Sequence, residues 1–123
     1  MTLSIYYDKV VKCHKTDSRM EESMQIEDVS YGHVTVHTLC EAFLALRDEK
    51  ECLAFLLDIM TVREIQDLMQ RLCVASLLTE GKPYTRISEE VSVSSATISR
   101  VNRALTYGSG GYQTVLNRLD LMN

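Results

Sequence analysis

Within nine residues the chain carries Ser95, Ala96, Thr97, Ser99, Arg100 and Arg103, and shortly before them Lys82, Thr85 and Arg86. Hydroxyls of Ser and Thr hydrogen-bond bases or phosphates, Ala and the Thr methyl pack on the thymine methyl, and Arg pairs with guanine through two parallel bonds. Arg103, one turn beyond Arg100, is spaced for a phosphate, and Lys82, Thr85 and Arg86 add contacts to a nucleic-acid backbone. A second constellation, His33, His37 and Cys40, has zinc-ligand types at i, i+4 and i+7, which on a helix share one face. Zinc needs a fourth ligand, and no neighbour at helical spacing clearly supplies one. Tyr31-Gly32 and Val34-Thr35-Val36 also favour an extended chain, so no metal is expected there. Cys13-His14 is a weaker pair still. Catalysis has less to work with. The histidines are His14, His33 and His37, all in the first third, and Gly108 to Gly111 lack the Lys-Ser/Thr of a phosphate loop. No enzyme is expected.

The polar residues need a scaffold. Thr85 reads as the N-cap of a short helix through Val91, Ser92-Val93-Ser94 as a turn, and Ser95 as the start of a second helix running to Leu105. Two short helices crossing at a tight turn lock through a few apolar contacts. Ile87, Val91, Val93, Ile98 and Val101 fill those inward positions, with small Ser88 at the close approach. The pattern predicts a helix-turn-helix over about 84–106. Ser92 stands where the turn often has glycine. In such a motif the second helix enters the major groove, its amino-terminal residues at the base edges.

Upstream, Val36, Leu39, Cys40, Phe43, Leu44 and Leu46 recur at three- and four-residue steps, predicting a helix closed by Arg47-Asp48. A second runs from Glu49 to Ile59, burying Leu53, Leu56, Leu57 and Met60. Thr61 then caps a third, with Glu64 completing a capping box. That helix runs from Val62 to about Glu80 through Ile65, Leu68, Met69, Leu72, Ala75 and Leu78, and Gly81 ends it. From Val36 to Leu78, 26 of 43 residues are apolar, whereas a helix with one buried face needs only about 3 in 7. The surplus predicts a covering surface, most simply a second copy of the chain. Past the motif, Gly108-Ser109-Gly110-Gly111 is a break, and Tyr112, Val115, Leu116 and Leu119 form one face of a last short helix.

The whole chain, 123 residues with 46% hydrophobic and 24% charged, is the size and composition of one soluble domain. No apolar run approaches the ~18 residues of a membrane span, and the first fifteen residues lack the features of a secretory signal. A cytoplasmic setting is expected, with Cys13, Cys40, Cys52 and Cys73 as reduced thiols. Residues 1–35 read as an amino-terminal arm in which Leu3 to Tyr7 suits a short strand; Met20 and Met24 suit internal starts, leaving open whether residues 1–23 are native. Residues 36–121 form the folded domain. The net charge of −4 is unevenly divided: residues 1–81 hold 8 basic and 14 acidic side chains, residues 82–118 hold 5 and 2, and Asp120 completes the sum. The acidic total argues against nucleic acid only until it is divided; the helix-turn-helix segment itself is basic.

The stretch from about Thr35 to Arg118 resembles the Trp-repressor-related family, in particular its YerC/YecD-like branch. The likeness is clearest in Met60-Thr61-Val62-Arg63-Glu64-Ile65 and from Gly81 through Ala96-Thr97-Ile98-Ser99-Arg100-Val101-Asn102-Arg103-Ala104-Leu105-Thr106-Tyr107-Gly108. The resemblance implies an all-α helical bundle forming an intertwined homodimer, with a helix-turn-helix projecting from each side onto double-stranded DNA. In the Trp repressor two arginines flank the corepressor tryptophan. One matches Arg100; the other matches either Arg71 or Gln70, because of a one-residue length difference near Gly81. The glycine after the first arginine is Val101 here, which crowds an indole. The resemblance thus implies a DNA-binding transcriptional regulator, a repressor, in which Arg100 serves DNA and tight tryptophan binding is not expected. Two rivals follow from the residues: a protein-interaction module keeping the helix-turn-helix as scaffold, and a metal-linked sensor using His33, His37 and Cys40.

Overall fold

The computed structural model describes residues 25–119. The strand expected at Leu3 to Tyr7, the starts at Met20 and Met24, Cys13-His14 and the end of the domain at 121 lie outside the described residues. The chain divides into two compact units, one up to Met60 and one from Thr61. Among the described residues no helix is long and apolar enough to cross a membrane.

The first unit opens with a two-residue hairpin, β1 (Ser30–Tyr31) antiparallel to β2 (Val34–Thr35), with Ser30 opposite Thr35. Gly32 takes φ 62° in the turn, a conformation open to glycine because it has no Cβ. Helix α1 (Val36–Leu44) follows, capped by Thr35. The Thr38 N–H donates to Thr35 Oγ1 at 3.3 Å and the Thr35 N–H donates back to Thr38 Oγ1 at 3.2 Å. The helix stops at Leu44, short of the expected Arg47-Asp48. Asp48 belongs instead to α2 (Glu49–Ile59). Its Oδ1 accepts from the Glu51 N–H at 2.8 Å, while Glu51 Oε2 accepts from the Arg47 N–H at 2.7 Å. An Asp that caps the next helix cannot also prolong the previous one, since a cap residue needs extended backbone.

Phe43 of α1 and Phe55 of α2 meet edge to face, ring centroids 5.2 Å apart, a favoured aromatic geometry. Neither helix contains a fully buried residue. Leu56 and Met60 are half-buried as expected, but Leu53 and Leu57 are 52% and 54% exposed, correcting the expectation that α2 buries them. Helical periodicity locates the stripe and is silent on whether the same chain covers it.

The second unit holds α3 (Val62–Thr79), α4 (Tyr84–Val91), α5 (Ser95–Tyr107) and α6 (Gly111–Arg118). Thr61 and Glu64 make the expected capping box at the start of α3: the Glu64 N–H donates to Thr61 Oγ1 at 3.2 Å and the Thr61 N–H to Glu64 Oε2 at 2.7 Å. At the other end Gly81 takes φ 80°, and the N–H groups of Gly81 and Lys82 donate to Leu78 O and Leu77 O. Those bonds satisfy carbonyls that a helix end leaves without partners. Helix α3 packs on α4, α5 and α6. The core is Val74 and Ala75 of α3, Ile87 of α4, Ile98 and Val101 of α5, and Leu116 of α6. Of the last helix's expected face, Leu116 is buried and Tyr112 half-buried, while Val115 and Leu119 are exposed.

Candidate nucleic-acid interface

Helix α4 begins two residues earlier than its polar sequence implied. Pro83, not Thr85, occupies the cap position, with φ −71° and ψ 154°, and its carbonyl accepts from the N–H groups of Arg86 and Ile87. Proline's ring presets that φ, so the chain is already turning before Thr85 can act as a cap. Thr85 lies inside the first turn, exposed. Ile87 is fully buried and Val91 packs beside it.

The turn is built on Ser92, with φ 56° and ψ 48° the only described non-glycine residue at positive φ. Serine thus occupies the left-handed conformation expected of glycine there, at a steric cost glycine would not bear. A side-chain bond crosses the turn: Ser88 Oγ donates to the Val93 carbonyl at 2.8 Å. Ser88 therefore does more than give α5 room; it ties the last turn of α4 to the residue leading into α5.

Ser94 caps α5, its Oγ accepting from the Thr97 N–H at 3.3 Å, and the two hydroxyls lie 3.2 Å apart. Thr97 is consequently half-buried and partly committed to the cap. With Ile98 and Val101 turned into the core, Ser95, Ala96, Ser99, Arg100 and Arg103 are exposed together. The 3.6-residue period requires this, since 95, 96, 99, 100 and 103 occupy the face opposite 98, 101 and 105.

The helix runs two residues past the expected Leu105, to Tyr107. Gly108 ends it, its N–H donating to Ala104 O at 2.9 Å, and a Cβ there would stand 2.3 Å from that oxygen. Gln113 of α6 donates from Nε2 to Leu105 O at 2.9 Å, so both ends of α5 are held by side chains from its flanks. Two further polar contacts were not among the expectations. Arg86 Nε lies 3.0 Å from Glu90 Oε1 across one turn of α4, and Gln113 reaches eight residues back. The spacing of Arg86 and Glu90 is visible in the sequence; that of Gln113 carries no local signal.

An open groove of about 560 Å³ runs beside this motif, lined by Leu68, Arg71 and Leu72 of α3, Ala104 of α5, and Tyr112 and Val115 of α6, among others. Arg71 lines it, whereas Gln70 and Arg100 do not, so the three residues considered for a ligand pocket are not gathered in this groove. Burial pushes the Tyr112 hydroxyl above its ordinary value, and the Arg71 charge pulls it back. The suspected metal trio is not assembled either. His33 lies in the hairpin turn ahead of α1, which removes the shared helical face, and His37 Nε2 lies 3.2 Å from Glu41 Oε1. No group of three or more potential metal ligands gathers among the described residues.

Comparison with known proteins agrees with this architecture. Residues 34–120 match the profile of the family described as Trp repressor protein. The chain is 47% identical over 81 residues to an uncharacterized protein, YerC, of Bacillus subtilis (strain 168), an alignment covering 66% of this chain and 78% of that one. A crystal structure of a TrpR-like protein from Eubacterium eligens ATCC 27750 superimposes with a TM-score of 0.69 at 44% identity, covering 72% of this chain and 91% of the other. That of a candidate Trp repressor from Staphylococcus aureus gives 0.70 at 40% identity, covering 79% and 95%.

Proposed function

Since this chain belongs to the Trp repressor protein family, we propose that it is a sequence-specific DNA-binding transcriptional regulator, a repressor, acting as a homodimer through the helix-turn-helix of α4 and α5. The family is one of regulators rather than enzymes. The observation that carries the reading is the geometry of the turn. Ser92 in the left-handed region and the Ser88–Val93 bond set α5 across α4 with Ile87, Ile98 and Val101 sealed between them. What remains outward on α5 is a row of hydroxyls, a methyl and two arginines.

In this reading Ser95, Ala96, Ser99 and Arg100 meet base edges, with Thr97 offering its methyl, and Arg103, Thr85 and Arg86 contact the backbone. The homodimer is supported by the first unit, where α1 and α2 bury no residue completely and leave Leu44, Leu53, Leu57 and Ile59 at least half exposed. A covering surface would take these side chains out of water, the main favourable term in association. Tight tryptophan binding is not part of the proposal, because Val101 follows Arg100 and Arg100 does not line the groove that holds Arg71.

The test is selection of bound fragments from a genomic pool, followed by titration of a selected duplex over a salt series. A bound duplex whose affinity falls steeply as salt rises is expected, because each neutralised phosphate releases a counterion. Failure to enrich any fragment, or affinity indifferent to salt, would refute the proposal.

A further inference from the structure

Helix α4 exposes Thr85, Arg86, Glu89 and Glu90 to solvent, while Ile87 is buried. Arg86 and Glu90 form a hydrogen-bonded ion pair at 3.0 Å, with side chains 62% and 42% exposed. The pair does little for the helix that carries it. Arg86 stands in the first turn and Glu90 in the last, with no acidic residue in the first turn and no basic one in the last, against the helix dipole at both ends. Cation before anion is also the weaker of the two i,i+4 orders. What the pair does change is the charge that α4 shows to its surroundings.

In a helix-turn-helix complex the first helix crosses the phosphodiester backbone. Arg86 is the one cation on α4, and Glu90 neutralises it while Glu89 adds a further negative charge. We propose that Glu90 sets the strength of DNA binding through this motif: it holds the Arg86 guanidinium and must be displaced before that cation reaches a phosphate, so that duplex DNA of any sequence is bound more weakly than α5 alone would dictate. The inference rests on the DNA-binding reading above. Non-specific affinity is almost wholly phosphate contact, whereas specific affinity adds base contacts that do not involve Arg86. Displacing Glu90 starts from the same free protein in either case, so the restraint lowers both affinities by a similar factor and leaves the base contacts to set their ratio. The exposed pair is readily exchanged, which makes it a brake and not a block.

The test compares wild type, Glu90→Gln, Arg86→Ala and the double variant on a selected duplex and on a mixed-sequence duplex, by fluorescence anisotropy across a salt series. Glu90→Gln is expected to tighten binding to both duplexes by a similar factor and to steepen the slope of log affinity against log salt by about 0.9 per reading head. In the Arg86→Ala background the gain should disappear. Wild-type binding with no change in Glu90→Gln, or a gain that persists in full without Arg86, would overturn the inference while leaving the DNA-binding reading intact. Absence of binding by all four proteins on both duplexes at every salt would overturn that reading and the inference with it.

Discussion

Ser92 shows how one side chain records a compromise. Its backbone at φ 56° is a conformation that L-residues avoid and glycine accepts, and the strain is held by the buried residues on either side of the turn. Replacing Ser92 with Gly should stabilise the fold by ~1 kcal/mol, the rough steric cost of the left-handed region less glycine's extra chain entropy. Urea midpoints of the two proteins measure this, and a lower midpoint for Ser92→Gly would contradict it. The two exposed arginines of α5 should part company under mutation. Arg100→Ala is expected to cost ~1–3 kcal/mol on a selected duplex and little on mixed sequence, as loss of a base contact would. Arg103→Ala should weaken both duplexes alike and flatten the salt slope by about one ion. Equal losses from both variants on both duplexes would mean that neither arginine reads a base.

At the level of elements, caps decide where these helices begin, and their legibility followed their locality. Thr61 and Glu64 form a box whose members are three residues apart, and both were readable in the sequence. Thr85 looked equally suitable and was pre-empted by Pro83, whose fixed φ starts the helix first. Thr61→Ala should cost ~1 kcal/mol, the usual loss for an N-cap. Thr61 also sets the ionisation of its partner: its backbone N–H and then its hydroxyl hold the Glu64 carboxyl below the ordinary value. A carboxyl with a depressed folded-state pKa stabilises above its unfolded value, and that contribution is lost as pH falls through the folded value. The gap in thermal stability between wild type and Thr61→Ala should therefore narrow as the pH is taken down through the carboxylate range. A gap that stays constant through that range would rule out the link.

For the whole molecule, the two units differ in how much each can do alone. The unit from Thr61 has a closed core contributed by all four of its helices. The unit up to Met60 has an aromatic pair and two well-capped helices, with no fully buried residue on either helix. Burial of apolar side chains is the main favourable term in folding, and helices of nine and eleven residues are marginal without it. If a second copy supplies the cover, Leu57→Glu should shift the protein from dimer to monomer in sedimentation at micromolar concentration and lower its thermal midpoint. A dimer of unchanged strength would place the interface elsewhere. The charge is also unevenly placed, with acidic residues concentrated before the helix-turn-helix and a net basic segment that contains it. A protein with few phosphate contacts per motif gains useful affinity by joining two of them.

By itself the sequence determined the number and order of the helices from Val36 onward, the turn at Ser92 to Ser94, and the outward row on α5, because each follows from periodicity or capping within a few residues. Tertiary structure decided the matters that depend on what lies opposite. Leu53 and Leu57 belong to an apolar stripe, yet no described element of their unit covers them fully. Arg71, not Gln70, lines the groove because helical phase turns neighbouring residues about 100° apart. Gln113 reaches the end of α5 only because α6 folds back beside it. Periodicity states which side of a helix seeks cover; only the packed chain states what covers it.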